Sequence, residues 1–164
     1  MVDITNGEVW KAITGQNFMV IGMVTARGES RTAGVMHAVH DDRIWFTSHD
    51  LAWKTRHIAA NPNVSVTVPI AKRVPLMPWI RIPAATVTFA GDAEVVPLGA
   101  MPDHVRSALL DDLEVSDGGE HGAIVGVRVR PTGDFVTYGL GVSALGMRDA
   151  EAAAGRVRAA SVNA

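Results

Sequence analysis

Cysteine is absent from the 164 residues, which removes disulfides, thiol nucleophiles and thiolate metal sites together. A basic surplus is absent too: the formal net charge is −2 and the Lys and Arg residues are scattered. Nucleic-acid binders concentrate such residues on one face, so no nucleic-acid partner is expected. No apolar run reaches membrane-span length, and the amino terminus lacks a basic-then-apolar segment. No membrane partner and a cytoplasmic location are therefore expected. Lysine is scarce, with only Lys11, Lys54 and Lys72 against twelve arginines.

The rest of the composition is that of a folded domain. Apolar residues make up 48% of the chain, enough for one core at this length, and no linker or internal repeat divides it. Thr5-Asn6-Gly7-Glu8 has capping-box spacing ahead of Val9, Trp10 and Ile13, which predicts a short helix stopped by Gly15. Residues 18–26 (FMVIGMVTA) predict a strand apolar on both faces, 31–39 a second strand, and 43–47 (RIWFT) a third after a turn at His40-Asp41-Asp42. Asp50 stands where an N-cap should be, before a helix whose buried face is set by Leu51, Thr55 and Ile58 and which Asn61-Pro62 ends.

Strands are expected at 63–69 and at 84–96, the latter with a bulge or turn at Gly91-Asp92. A helix is expected at 101–114. Two further strands, 123–130 and 134–138, flank a turn at Pro131-Thr132-Gly133, and the tail from Asp149 reads as helical or loose. Six or seven strands with short helices predict an α+β, mainly β, small barrel.

The informative unit is strand, polar turn, helix over residues 44–58. A helix amino terminus offers unpaired N–H groups and the positive end of a dipole, a seat for phosphate. Thr47 and Ser48 supply hydroxyls at the strand exit, and Lys54 and Arg56 supply cations. The same pattern also suits an ordinary capped helix with solvated charges. Metal ligation is not expected: His37 and His40 lie three apart beside a strand, on opposite faces. Trp45 reads as core or interface packing, Trp53 as the lip of the phosphate seat, and Trp79 as a ligand or partner contact. No side-chain nucleophile or general base is expected.

Residues 53–66 (WKTRHIAANPNVSV) resemble the K-[TV]-R-N-L-x-x-[DN]-P-x-V-S signature of the pyridoxamine 5'-phosphate oxidase-like FMN-binding split-barrel superfamily, with His57 where that family has Asn. The superfamily includes FMN-dependent oxidases and reductases that use the deazaflavin F420. The resemblance implies a homodimeric split barrel of mostly antiparallel strands, with the cofactor between subunits and small-molecule substrates. It implies that Lys54 pairs with the cofactor phosphate, joined by Thr47, Ser48, Trp53 and Thr55. It further implies that Thr32, Ala33, Gly34, Val35, Met36 and His37 form a ledge for the ring, where backbone groups meet its pyrimidine edge. Tyr138 and residues 139–142 would cover the ring from the partner subunit.

The cofactor implied is FMN, with F420 as the alternative, for whose polyglutamate tail Lys72-Arg73 would serve. The implied activity is hydride transfer to or from a small organic substrate. A non-catalytic flavin, haem or tetrapyrrole carrier is the competing reading. No histidine follows His121, so the carboxyl-terminal motif that grips vitamin B6 phosphate is lacking.

Overall fold

A computed structural model describes residues 1–71, 85–110, 122–143 and 146–159. The first helix, α1 (Asn6–Thr14), begins with the expected capping box: the Glu8 N–H donates to Thr5 Oγ1 at 3.3 Å and the Thr5 N–H to Glu8 Oε2 at 2.8 Å. Val9, Trp10 and Ile13 are buried by this helix. Gly15 ends it in an ordinary right-handed conformation, φ −74°.

Eight strands follow: β1 (Phe18–Val24), β2 (Ser30–Met36), β3 (Ala38–His40), β4 (Arg43–His49), β5 (Asn63–Ile70), β6 (Ala85–Pro97), β7 (Ile124–Tyr138) and β8 (Ala154–Arg158). All strand pairings are antiparallel, in the order β2-β1-β5-β6-β7-β4-β3, with β8 added beside β7. The two ends of this order, β2 and β3, are one stretch of chain interrupted only at His37. The sheet therefore curls back on itself, and a single kinked strand serves both of its ends. This is a split barrel.

Alternation along the strands builds the core. Met19, Ile21 and Met23 of β1, Ile44 and Phe46 of β4, and Val64, Val66 and Val68 of β5 all face inward and are buried. Trp10 and Phe89 each meet the ring of Phe135 edge-on, at 5.4 and 5.2 Å between centroids, so α1 is tied to β6 and β7 through one aromatic chain. The outward residues of β1 are not covered: Phe18 is 42% exposed, so this strand is not buried on both faces as its run of apolar residues predicts. Outside the barrel, α3 (Asp103–Leu110) covers a second, small cluster of Trp45, Val96, Met101 and Val105.

Several boundaries differ from expectation for physical reasons. Residues 124–138 form one continuous strand, because Pro131 falls between the part of β7 that pairs with β4 and the part that pairs with β8. A missing N–H there interrupts neither ladder. The irregularity in β6 lies between Thr88 and Ala90, and Gly91 stays in register with Pro131. The described part of the tail is mainly strand: after one turn, α4 (Ala150–Ala153), it forms β8, where the Val2 N–H also donates to the Ala154 carbonyl at 2.7 Å. The turn at Asp41-Asp42 holds both residues at positive φ, 49° and 53°, the geometry of a two-residue hairpin that matches strand twist.

His37, at the kink, is 4% exposed. Its Nε2 lies 3.3 Å from the Ile13 carbonyl, which only accepts, so Nε2 carries the proton and Nδ1 is left as a buried acceptor with no partner among the described residues. Burial lowers its pKa below the usual histidine value of 6.5. Below about pH 6.5 the unfolded chain thus binds a proton that folded His37 resists, and stability is expected to fall as the pH drops. His37→Gln keeps a donor for Ile13 and removes this titration. Its stability is expected to fall less on acidification, by up to about 1.4 kcal/mol per pH unit. Denaturant midpoints at neutral and mildly acidic pH check this; equal acid sensitivity in both proteins would clear His37 of the effect.

Candidate functional site

Register shows where the barrel opens. Ala38 pairs with Trp45, Val39 with Ile44 and His40 with Arg43. Continued past His37, the same register would set Met36 opposite Thr47. Instead β2 leaves β4 and pairs with β1, where Met36 stands opposite Phe18. The split thus lies between β2 on one side and the carboxyl-terminal half of β4 on the other. Among the described residues β2 pairs only with β1, so its far edge carries backbone N–H and C=O groups with no ladder partner among them.

Alternation divides the six ledge residues. Thr32, Gly34 and Met36 are exposed on the outer face, whereas Ala33 and Val35 turn toward the core and His37 is buried. Ala33, Val35 and His37 can therefore offer a ligand only their backbone. Gly34 has a local reason to be glycine: a Cβ there would lie 2.8 Å from the ring of Phe18, which rests over it.

On the other side of the split, Ile44, Phe46 and Ser48 point inward while Trp45 and Thr47 point outward, with Thr47 half-buried. Helix α2 (Trp53–Ala60) starts four residues after β4 ends. Its N-cap is Ala52, not Asp50, and no side chain caps it. The first N–H groups of the helix are therefore left for solvent or a ligand. Asp50 is held one turn earlier, where its own N–H donates to the Ala123 carbonyl at 2.9 Å. Leu51 lies outside the helix and is exposed rather than part of its buried face, which consists of Thr55 and Ile58.

Two of the hydroxyl candidates are committed inside the protein. Thr55 Oγ1 lies 2.6 Å from the His49 carbonyl and 2.8 Å from Ser48 Oγ, and both hydroxyl residues are buried. Together they lock the start of α2 against the end of β4. Thr47 and Lys54 are half-buried at this corner, and among the described residues Lys54 makes no ion pair. Trp53, 43% exposed, leans its ring edge on His57 at 5.8 Å.

Gly122 was not among the expected site residues. It holds φ at +82°, and a Cβ there would lie 1.8 Å from Asp50 Oδ1 and 2.8 Å from Leu51 Cγ. Its carbonyl accepts a bond from His49 Nδ1 at 3.1 Å. The turn between β4 and α2 is thus seated directly on this glycine. A lone glycine immediately before a strand was the available signal.

Other candidates lie elsewhere. Tyr138 sits at the end of β7, its hydroxyl donating to the Met147 carbonyl at 2.7 Å. Lys72, Arg73 and Trp79 lie outside the described residues, as does the end of the helix expected to reach Glu114. Among the described residues no group of three His, Asp or Glu side chains is placed to hold a metal, and no helix is long and apolar enough to cross a membrane.

No curated protein matches this sequence. Solved structures do share the fold. A haem binding protein from Mycobacterium smegmatis superposes with a TM-score of 0.63 at 18% identity, over 97% of this chain and 60% of that one, so this chain spans less than two thirds of that protein. A pyridoxamine 5'-phosphate oxidase-related, FMN binding protein from Nostoc punctiforme gives 0.57 at 9% identity, over 84% and 86% of the two chains. An F420 reductase gives 0.52 at 21% identity, over 74% and 92%. The sequence model of pyridoxamine 5'-phosphate oxidase matches residues 6–122, from α1 through the split to the glycine that seats the β4–α2 turn. The chain belongs to the pyridoxamine 5'-phosphate oxidase family.

Proposed function

We propose that this protein binds a flavin-type cofactor in the split and uses it to pass a hydride to or from a small organic substrate, with FMN as the first candidate and F420 as the alternative. The reading is supported by two features beside the split. Among the described residues β2 pairs only with β1. Helix α2, which follows the end of β4, has an amino terminus that no side chain caps, with Lys54 one residue into the helix. The edge suits hydrogen bonding to the polar rim of a flat ring, and the helix terminus with Lys54 suits a phosphate.

In this reading Lys54 and Thr47 hold the phosphate directly, Ser48 and Thr55 fix the corner that presents them, and residues 32–37 bind the ring edge through their backbone. Bound flavin supplies the redox chemistry; the protein orients it and keeps water away. The exposed Phe18, Met36 and Trp53 rim this region, and we take them as the apolar surface through which two copies meet as a dimer over the cofactor.

Lys54→Ala is expected to weaken FMN binding by about 1.5–3 kcal/mol, the usual value of a hydrogen bond to a charged group. Removing the phosphate from the ligand removes the same interaction, so the two losses should not add. Titrating FMN and riboflavin against parent and variant tests this. If the variant preferred FMN over riboflavin as strongly as the parent does, Lys54 would be only a solvated helix charge. A parallel titration with F420 separates the two cofactors. A Soret band in place of flavin absorption on the purified protein would favour a haem carrier over the enzyme.

A further inference from the structure

A second charged feature lies on the outer face of the barrel, on the same side of β4 as Thr47 but at the other end of the strand. Arg43 of β4, Arg128 and Arg130 of β7, and Asp92 and Glu94 of β6 line a shallow cleft of about 160 Å³. Register dictates the arrangement. Asp92 pairs with Arg130 and Glu94 with Arg128 across β6 and β7. The β4–β7 ladder begins at Ile44 and Val129, so Arg43 and Arg130 are the next residues on the two strands, just past its end. Two guanidiniums are matched by carboxylates: Arg130 to Asp92 at 3.0 Å and Arg128 to Glu94 at 2.5 Å, with Arg128 also stacked 5.7 Å from the ring of Trp45. Among the described residues the Arg43 guanidinium makes no ion pair; its Nη1 donates to the Asp42 carbonyl at 3.2 Å.

The lining thus holds three cations against two anions, with Arg43 and Arg130 next to each other on neighbouring strands just past the end of their ladder. Like charges in that position destabilise a sheet, and exposed ion pairs return only about 0–1 kcal/mol each. Fold stability does not account for Arg43 here. A bound anion would: it would relieve the Arg43–Arg130 repulsion and use guanidinium N–H groups that the carboxylates leave free.

We propose that this cleft is a binding site for a small oxyanion, a carboxylate or a phosphate monoester, held between Arg43 and Arg130 and separate from the split. Along β4 it lies about 13 Å from Thr47, beyond Trp45, and the reading does not depend on the cofactor.

The test compares thermal unfolding of the full chain in inorganic phosphate, acetate and chloride at matched ionic strength. Phosphate or acetate is expected to raise the midpoint saturably above chloride; whichever does so names the ligand class. Arg43→Gln is expected to fold as well as the parent, because it removes the repulsion, and to weaken anion binding about three- to tenfold. Asp92→Asn removes a competing carboxylate and is expected to strengthen binding by a similar factor. Arg130→Gln serves as a second loss variant. No saturable effect beyond chloride would overturn the proposal, as would an Arg43→Gln protein that binds like the parent or an Asp92→Asn protein that binds no better. If these variants changed the oligomeric state instead of anion binding, the row would belong to a contact between chains and the proposal would fail.

Discussion

Phe135→Ala is expected to lower the free energy of unfolding by about 3–5 kcal/mol, a large part of the roughly 5–15 kcal/mol that holds a domain together. Phe135 is fully buried, and its ring receives Trp10 from α1 and Phe89 from β6, both edge-on. Truncation removes the partner of two aromatic contacts at once and leaves a void that rigid flanking strands cannot fill. It also loosens α1, which is held to the barrel by Trp10 together with Val9 and Ile13. The neighbouring Val136 faces outward and is 42% exposed, so Val136→Ala is the control and should cost well under 1 kcal/mol. Urea unfolding of the two variants makes the comparison. A loss at Phe135 no greater than at Val136 would mean that the aromatic chain does not anchor the helix.

Gly122→Ala is expected to cost about 1–2 kcal/mol, the strain that a left-handed backbone puts on an alanine. The added methyl meets Asp50 and Leu51, the two residues that lead from β4 into α2. Displacing them tilts the amino terminus of the helix, so FMN affinity should fall in the folded fraction as well. Gly7→Ala is the control, since a Cβ there meets nothing within 4 Å. An unfolding midpoint unchanged by Gly122→Ala would show that the β4–α2 turn does not depend on this seat.

What the sequence revealed was what local chemistry decides. Thr5 and Glu8 cap a helix by contacts three residues apart, and the structure has both bonds. Apolar runs and period-two alternation located β1, β2, β4, β5 and β6 but not β8, and the signature after Trp53 pointed to the split barrel. Partners far along the chain decided the rest. Pro131-Thr132-Gly133 reads as a turn, yet β8, some two dozen residues later, pairs beside it and keeps the strand straight. Asp50 has the chemistry of an N-cap, but Ala123 engages its backbone one turn too early. Nothing in Met36-His37-Ala38 announces a break; the kink exists because the two halves pair with different strands. At the candidate site, alternation alone would have turned Ala33 and Val35 inward, whereas the commitment of Ser48 to Thr55 needed the packed helix.

The open edge of β2 has a consequence for the protein in the absence of ligand. A strand with unsatisfied backbone groups accepts whatever extended chain reaches it, a strand from another molecule included. Exposed Arg31 and the glycine at position 34 make this edge a poor template, but Met36 beside them is bare. Whatever fills the split therefore also shields the place where this fold is most open to adding a foreign strand, and the empty protein should be the form that clumps.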